Sequence, residues 1–576
     1  MRSILELFNK QSRLPFDQSP EAPSVRNFLV FSRSLPKKLK HIIISTIGLG
    51  AIFVTIGVVI ASNKFLVTVP TRGGSISEGI IGTPRFVNPL LAISNADKDM
   101  VALVYSGLLR SGKLERYQPD LAENYSVSHD GTVYTFKLRE NLYWHDGTPF
   151  TARDVVFSIQ MAQDDRVKSP KRSSWDGVQV EAVNDLSVKI TLKEPYAPFI
   201  ENTTMGILPE HLWKTVLPEE FALNVFNLKP IGTGPYKVTA TEVDATGVPV
   251  SIQLAAFDNF ALGAPKIESL EINFYTSEEE LLKASKSNPK MNISGLSAEA
   301  YQELTSKTSE PNTYKLPRVF AVFFNQNQSA VLADKNVREA LRLATPKSKI
   351  VELALGGLGE VIDGPLPNTD LVVDKDVRDP AEILESAGWT LGPDGIRVKK
   401  QKRLRIELAT SDSPELKKAA AIMSEAWKDI GVEVTIKVYE SSDLNVNVIG
   451  PRKFDALLHG INIGHYPDSY AYWHSSRRLD PYYNVAQYTN SRADKALEEI
   501  RETNDRKVHK KATEIFLEEI EKDSPAIFLY APSVVYAANP IIKNLEIPFL
   551  NGPADRFNQV YKWYMGTEDV WTVFKN

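Results

Sequence analysis

The chain shows the two hydrophobic periodicities that distinguish strands from helices. Polar and apolar residues alternate in segments 133–138 and 187–192, which predicts two strands. Asp130-Gly131, just before the first of them, is typical of a hairpin turn. A third alternating run, 432–438, predicts another strand.

Two segments carry the period of amphipathic helices. Segment 334–343 places Val337, Ala340 and Leu341 on one face. In segment 413–430, Ser413 is suited to cap a helix and Gly431 to end it. The apolar residues at helical spacing within that segment are Leu416, Ala419, Ala420, Met423 and Trp427. Strands and helices mixed in this way predict an α/β fold in more than one lobe.

One apolar stretch differs from all others. Residues 42–62 contain 21 residues without a charged side chain, long enough for a helix that crosses a hydrocarbon core of ~30 Å. Residues 1–40 carry eight basic and three acidic side chains, a local charge of +5, whereas the remainder carries −9. The positive-inside rule therefore places 1–41 in the cytoplasm and the residues after 62 outside it.

The apolar stretch has alternative interpretations. A buried core helix of this length would normally contain charged residues. A cleaved signal peptide would need small residues at its cleavage site, and Val59-Ile60-Ala61 fits that pattern poorly. We therefore interpret the stretch as an uncleaved signal anchor.

Composition excludes several classes of protein. Of the 576 residues, 43% are hydrophobic and 24% charged, as in ordinary globular proteins, so disorder is not the dominant state. The net charge of −4 argues against a nucleic-acid partner. The chain has no cysteine, which excludes disulfides, thiolate metal sites, cysteine nucleophiles and lipidated-cysteine anchors.

The one basic run, 397–405, is expected to be a solvated hairpin turn.

No catalytic signature is present. The sequence lacks a G-x-S-x-G elbow, an H-E-x-x-H pair and a phosphate-binding G-x-x-x-x-G-K-[ST] loop. His459, His465 and His474 are separated by six and nine residues, which does not place two ligands on one helical face. We expect no enzyme activity, no metal site and no cofactor.

Several segments resemble one family in the right order. PRFVNPLLAISNADKDMVALVYSGLLR (84–110) is similar to the family's opening strand, Asn-Pro turn and helix. The most specific match, in 117–158, contains DGTVYTFKLR and WHDGTPFTARDV. IGTGPYKV (231–238), FFNQNQSAVLADKNVREALRLAT (323–345) and EILESAGW (382–389) follow. On these motifs the chain resembles the peptide/dipeptide/nickel-binding family (family 5) of extracytoplasmic solute-binding proteins of ATP-binding-cassette (ABC) importers.

The resemblance implies a two-lobe, class II periplasmic-binding-protein-like α/β fold, with an extra domain inserted in lobe I and one transmembrane helix before it. The implied segments are a cytoplasmic tail (1–41), an anchor (42–62), lobe I (71–104, 228–315 and 533–576), the inserted domain (105–227) and lobe II (316–532). The chain would cross between lobes near 314–319 and 530–535. Most of the matched residues are expected to shape turns or pack the core; Gly232, Gly234 and Pro235 would form a tight turn at positive φ.

The sequence departs from the family at one informative place. Peptide-binding relatives carry a W-x-x-D-Y-x-D-P-like loop whose aspartate pairs with the ligand's α-ammonium. Here Asn462 stands at the tryptophan position and His465 at that aspartate position, while Tyr466 and Asp468 remain. Because a buried ammonium needs an ionised partner, three alternatives stay open. Asp468 or another carboxylate takes the ammonium, the ligand lacks a free amine, or His465 contacts an anionic or carbonyl group.

Four further residues are candidates for the ligand cleft: Tyr105, Asn325, Tyr470 and Trp473. Aromatic rings offer sequence-tolerant contact to varied side chains, while main-chain contacts would hold an extended peptide. For Tyr470 and Trp473, packing in the core is an equally good interpretation.

The sequence thus predicts a monomeric, membrane-anchored receptor that delivers a small peptide or related solute to ABC permease subunits. One alternative is the same fold with a sugar or a metal chelate as ligand. Another is a sensory or scaffold receptor that is not coupled to transport.

Overall fold

The computed structural model describes residues 36–112, 117–305, 312–367, 378–440, 443–464, 469–479, 482–503, 505–547, 550 and 552–571. The chain divides into two compact units. The first consists of Met1–Val69 with Thr567–Asn576, and the second of Pro70–Gly566.

The first unit contains a long apolar helix, α1 (Lys37–Phe65). Its part Lys37–Gly57 is long and apolar enough to cross a membrane, and none of the side chains described there is buried by protein. A signal sequence has the same length and composition, so the anchor remains a proposal. Strand β1 (Leu66–Thr71) follows directly and pairs with the C-terminal strand β23 (Gly566–Trp571). The Thr68 hydroxyl donates to Asp569 at 2.7 Å.

The second unit mixes helices and strands throughout. Its helices are α2 (Asn95–Val104), α3 (Ala152–Gln163), α4 (Arg172–Trp175), α5 (Glu210–Trp213), α6 (Glu278–Ser287), α7 (Ala298–Thr305), α8 (Lys335–Ala344), α9 (Lys347–Leu355), α10 (Pro380–Ser386), α11 (Pro414–Asp429), α12 (Tyr470–Trp473), α13 (Ser491–Glu502) and α14 (Arg506–Asp523). Single-turn and 3₁₀ segments include Ala197–Thr204 and Pro553–Lys562, and Leu444–Ile449 forms a π-helix.

The strands of the second unit are β2 (Ser75–Ile81), β3 (Leu109–Ser111), β4 (Tyr117–Pro119), β5 (Ala122–Val127), β6 (Val133–Leu138), β7 (Gln179–Asn184), β8 (Ser187–Thr191), β9 (Tyr236–Val243), β10 (Pro249–Ala256), β11 (Ser269–Tyr275), β12 (Asn292–Ser294), β13 (Asn312–Lys315), β14 (Arg318–Phe324), β15 (Gly359–Val361), β16 (Thr390–Leu391), β17 (Arg397–Lys399), β18 (Lys402–Arg403), β19 (Arg405–Ser411), β20 (Glu433–Tyr439), β21 (Ala456–Asn462) and β22 (Ala526–Ala537).

One strand joins the two halves of the main sheet. The sheet has the order β20-β19-β21-β14-β22-β12-β2-β11-β10-β9. The first half of β22 pairs with β14 and β15, and its second half pairs with β13 and β12. Both predicted crossings, 314–319 and 530–535, fall on these strands. The domain limits themselves stay a prediction.

The periodicities read from the sequence are confirmed. Segments 133–138 and 187–191 form β6 and β8 of an antiparallel sheet with the order β5-β6-β8-β7. Helix α11 buries all five of its predicted apolar residues and ends before Gly431 at φ +85°. The Ser413 side chain makes no capping hydrogen bond and instead donates to Glu415. The basic run forms the hairpin β17–β18, as predicted.

The Gly-rich turn at 231–236 corrects one expectation. Gly147 does take a positive φ, of +88°, but Gly232 and Gly234 do not. A Cβ on Gly232 would lie 1.9 Å from the Val104 carbonyl oxygen, and one on Gly234 would lie 2.5 Å from the Val104 carbonyl carbon. These glycines are needed because two backbone segments approach closely, not because of left-handed geometry.

The same turn is held by His145. One ring nitrogen, Nδ1, accepts from the Gly232 N–H at 3.3 Å, so the other, Nε2, donates to the Gly234 carbonyl at 3.0 Å. The ring also packs edge-on against Phe257, with centroids 4.8 Å apart. A neutral imidazole satisfies both contacts, and burial lowers the pKa of His145 to about 4.

A buried polar cluster joins distant segments of the second unit. Arg556 donates to both carboxylate oxygens of Asp99 at 2.8 Å and to Glu78 at 3.0 Å. The Tyr536 hydroxyl donates to the second oxygen of Glu78 at 3.0 Å. All four side chains are buried. The cluster therefore joins β2, α2, β22 and the 3₁₀ segment Pro553–Lys562.

The environment of His145 predicts a pH-dependent stability. An unfolded histidine has a pKa of about 6.5, whereas the folded value is about 4. The stability that the neutral ring contributes is therefore complete above pH 6.5 and is lost as the pH falls toward 4. His145→Gln should destabilise the protein at pH 7, and this destabilisation should shrink by roughly 2 kcal/mol at pH 4.5–5.

Urea unfolding of both proteins across this pH range measures the effect. The exposed His129 supplies the control, since His129→Gln should leave the pH dependence of the wild type intact. A destabilisation by His145→Gln that is constant from pH 7 to 4.5 would contradict the neutral, doubly hydrogen-bonded ring.

Candidate functional site

The site begins where β21 ends. The Asn462 side-chain oxygen accepts from the Gly464 N–H at 3.2 Å, and its main-chain carbonyl accepts from the Tyr472 hydroxyl at 2.6 Å. Gly464 adopts a φ of +66°, which favours glycine. The next residues, His465, Tyr466 and Asp468, lie outside the described residues. The three alternatives for the ligand's amine therefore stay predictions.

Tyr470 lies just after this loop, at the start of α12. Its ring stacks on His474 with centroids 4.0 Å apart. Two guanidinium groups also lie near the ring, that of Arg477 at 5.3 Å and that of Arg501 at 4.5 Å from the centroid. Tyr470 is half-buried and packs against a hydrophobic core cluster, so one side of its ring contacts the core while the residue stays partly exposed.

Arg501 connects this region to segment 105–227, which the sequence predicts to be an inserted domain. Its guanidinium lies 4.5 Å from the centroid of Tyr470 and 4.5 Å from that of Tyr196, which precedes the 3₁₀ segment Ala197–Thr204. One cation thus contacts an aromatic ring from lobe II and one from the inserted domain. We call the contact of Tyr196, Arg501 and Tyr470 the seam.

A cavity of about 390 Å³ adjoins the seam. Its lining combines the aromatic rings of Tyr196 and Phe199 with charged and polar side chains, among them Asp176, Lys193, Glu194, Asn202 and Arg501. Apart from Arg501, the residues that line the cavity all lie between 173 and 202, within the predicted inserted domain. Arg501, from the predicted lobe II, borders the cavity.

A second contact across the seam involves a carboxylate. Glu201, on Ala197–Thr204, approaches Gly464 so closely that a Cβ on Gly464 would lie 3.3 and 3.4 Å from its two carboxylate oxygens. The main-chain carbonyl of Glu201 accepts from the Thr204 hydroxyl at 2.8 Å. The inserted domain thereby brings a negative charge to the end of β21.

Tyr105 lies in the first half of the chain, directly after α2. It is 5% exposed, and its hydroxyl has no hydrogen-bond partner among the residues that the structure describes. Burial raises the pKa of Tyr105, so the phenol stays neutral. It remains a candidate because a buried, unpaired hydroxyl is unusual and a bound molecule would supply its partner.

Asn325 and Trp473 occupy framework positions. The Asn325 amide donates to the Arg452 carbonyl at 2.9 Å, and its oxygen accepts from the N–H groups of the following turn. Trp473 is 1% exposed and packs against Phe323 and Phe528. Both side chains are buried, and these contacts of both are with neighbouring framework residues.

Of the three histidines considered above, His465 lies outside the described residues. His459 lies on β21, where burial lowers its pKa. His474 contacts the Ser476 hydroxyl at 2.7 Å and Glu498 at 3.3 Å. Within the described ranges, no group of three or more His, Asp or Glu side chains is arranged to hold a metal ion.

The sequence analysis did not identify two residues of the seam, Tyr196 and Arg501, or the neighbouring Glu201. Each is of a type common on protein surfaces, and no motif marks it. Arg501 lies on a strongly amphipathic helix, where a charged residue predicts only a solvated face.

Comparison with known proteins gives a consistent result. Residues 116–483 match the family model described as bacterial extracellular solute-binding proteins, family 5 Middle. The oligopeptide-binding protein AppA of Bacillus subtilis (strain 168) is 29% identical over 517 residues, which cover 86% of this chain and 92% of AppA.

Two solved structures share the fold. The structure of Bacillus subtilis AppA in complex with a nonapeptide has a TM-score of 0.64 at 26% identity, covering 86% of this chain and 100% of that one. The structure of NikZ from Campylobacter jejuni in complex with Ni(L-His) also has a TM-score of 0.64 at 26% identity, covering 85% and 99%.

The seam predicts a measurable effect of Arg501 on the distance between lobe II and the inserted domain. Arg501→Ala removes two cation–π contacts, together worth about 1–2 kcal/mol, and should shift the protein toward a wider separation. Because the chain has no cysteine, dyes attached through Glu220→Cys and Lys428→Cys report this distance by single-molecule energy transfer.

Arg492 provides the matched control, since it lies on the same helix but pairs with Glu519 inside lobe II at 2.7 Å. Arg492→Ala should leave the energy-transfer distribution unchanged. If Arg501→Ala leaves it unchanged as well, the seam does not hold the two parts together.

Proposed function

Because the chain belongs to the bacterial extracellular solute-binding proteins of family 5, we propose that it is a peptide receptor, anchored outside the cytoplasm, that serves an ABC importer. Members of this family are binding proteins and not enzymes. The receptor would act as a monomer, capture a peptide between its lobes and present it to permease subunits.

The position of the Asn462–Gly464 turn is the observation that carries this proposal. The turn lies at the end of a central strand, faces the inserted domain and leads directly into His465, Tyr466 and Asp468. Asn462 and Tyr470 flank the loop, and Tyr105, from the other half of the chain, offers a hydroxyl that has no hydrogen-bond partner among the described residues. Ligands bind preferentially in such clefts between domains. The relative AppA, whose structure contains a nonapeptide, supports a peptide as the ligand.

Closure would use the strands that join the lobes. Strand β22 belongs to both halves of the main sheet, so small dihedral changes near 530–535 would rotate lobe II against lobe I while both keep their cores. The contact of Arg501 with Tyr196 would form when lobe II closes against the inserted domain. A peptide held in this cleft would be recognised through its main chain and termini, with aromatic rings accommodating varied side chains.

A metal chelate is the ligand in the related NikZ structure. The described residues of the present chain offer no cluster of metal-binding side chains, and no observation favours this ligand or a sugar. A purely sensory role is likewise not supported by any feature of the site.

The first test identifies the ligand. Native mass spectrometry of the full-length protein in detergent micelles should show an added mass that is lost on denaturation. Fragmentation of the released material should give peptide sequences. A protein denatured, washed and refolded before measurement is the control and should lack the added mass. Release of a sugar or a metal complex in place of peptides would contradict the proposal.

We also propose that residues 42–62 anchor the receptor in the membrane. An anchor would keep the receptor near its permease and raise its effective concentration there. Gly50→Arg with Val54→Arg should abolish stable anchoring, because each arginine at the centre of a span costs roughly 2.5–3.5 kcal/mol.

Carbonate extraction of membranes measures this effect. The matched control, Gly50→Leu with Val54→Leu, should stay in the membrane fraction. A mature wild-type protein whose N-terminal residue lies after the helix would contradict the anchor and identify a cleaved signal peptide instead.

A further inference from the structure

We propose that Trp571 is a membrane-binding residue whose indole ring lies in the lipid head-group layer, beside the end of α1. This inference rests on the proposed anchor of residues 42–62 and goes beyond it, because it assigns a second membrane contact to the strand β23. The partner of this surface is a phospholipid bilayer. The receptor would then contact the membrane through two segments that lie far apart in the sequence.

Trp571 differs from every other tryptophan of the chain in its exposure. The sequence contains eight tryptophans, and seven of them are buried, with at most 3% of their surface exposed. Trp571 is 42% exposed. Single apolar residues are common on the surfaces of soluble proteins. Exposure alone therefore does not indicate a partner, and the position of Trp571 matters.

Two contacts between β1 and β23 define how these strands pair. The Thr68 hydroxyl donates to Asp569 at 2.7 Å. A Cβ on Gly566 would lie 2.8 Å from the Thr71 hydroxyl oxygen. Residue numbers thus rise along β1 as they fall along β23, so the two strands run antiparallel, and both contacts fit the same register.

This register places Trp571 at the end of α1. It sets Trp571 opposite Leu66, the first residue of β1, and Leu66 directly follows Phe65, the last residue of α1. Side chains directly opposite each other in an antiparallel pair lie on the same face. The indole ring and Leu66 therefore form one apolar end of the two-stranded ribbon, next to the helix.

The distance from the predicted span matches the head-group layer. The apolar run ends at Ser62, and α1 continues to Phe65. Helical rise over the following residues puts Leu66 about 6 Å beyond the end of the run. The head-group layer extends about 5–7 Å from the hydrocarbon core on each side. Tryptophan is enriched at this depth, because its ring is apolar and its N–H is polar.

The polarity of the ribbon changes along its length as a membrane surface requires. Leu66, Val570 and Trp571 lie at the end next to the helix. Asp569 and Glu568 are exposed and lie two and three residues farther away, which is about 7 and 10 Å along a strand. The two carboxylates would therefore stay in water while the apolar end contacts the head groups.

A purely structural role for Trp571 would be to pack across the ribbon on Leu66. A role in binding another protein is the other alternative. Both differ from the proposed role in one measurable property, because only a ring among the head groups is quenched by a group attached to the lipid. In a bilayer that contains the receptor alone, the alternatives leave the indole unquenched.

The test uses the tryptophan fluorescence of the full-length protein in phosphatidylcholine vesicles. One set of vesicles contains lipid with a nitroxide on its head group, and another contains lipid brominated near the methyl ends of its acyl chains. The nitroxide should remove most of the emission of Trp571, and the bromine should remove much less. Trp571→Phe, which keeps an aromatic ring in β23, should lack this loss, because its remaining tryptophans are buried.

Thr567→Trp combined with Trp571→Phe is the matched control. It keeps one exposed indole on the same face of β23, but about 13 Å farther from α1. The head-group nitroxide should quench this indole much less than it quenches Trp571.

Carbonate extraction of the same vesicles separates this inference from the proposed anchor. If the protein is extracted, the anchor fails and this inference fails with it. If the protein stays in the membrane but the nitroxide quenches the wild type no more than Trp571→Phe, only the role of Trp571 is overturned. Equal quenching of the wild type and the Thr567→Trp control would also overturn it, because the ribbon would then contact the membrane along its whole length.

Discussion

The buried guanidinium of Arg556 joins segments that are far apart in the chain. It is paired with Asp99 on α2 and Glu78 on β2, while Tyr536 on β22 completes the hydrogen bonding of Glu78. Removing charged groups from water costs several kcal/mol per ion, so the cluster is tolerated only because every member is paired. Loss of one partner would leave an uncompensated buried charge and cost about 3–5 kcal/mol. Lobe I can therefore form only when its C-terminal part returns to its N-terminal part.

The return of the C-terminal segment to the N-terminal segment determines where the chain can bend. The last segment of lobe I follows lobe II in the chain, so a strand must lead back from lobe II to lobe I. Strand β22 does this: it pairs with β14 and β15 at one end and with β12 and β13 at the other. The inserted domain is fastened separately to lobe I, by His145 against the 231–236 turn. In our proposal the cleft lies between the predicted lobe I with its inserted domain on one side and the predicted lobe II on the other.

The seam gives that cleft a distinct chemistry. Arg501 and Glu201 carry opposite charges and come from opposite sides of it, one from lobe II and one from the inserted domain.

Local periodicity was sufficient to predict β6, β8, α8 and α11, and the ordered motifs were sufficient to predict the family, because both depend on residues close together in the chain. The reason for Gly232 was not predictable, since its crowding comes from the Val104 carbonyl, contributed by a distant segment. The framework positions of Asn325 and Trp473 likewise emerged only from packing. At the candidate site, Asn462 and Tyr470 were predicted, whereas Glu201, Tyr196 and Arg501 were not. They are unremarkable surface-type residues up to 305 positions apart, and folding alone brings them together.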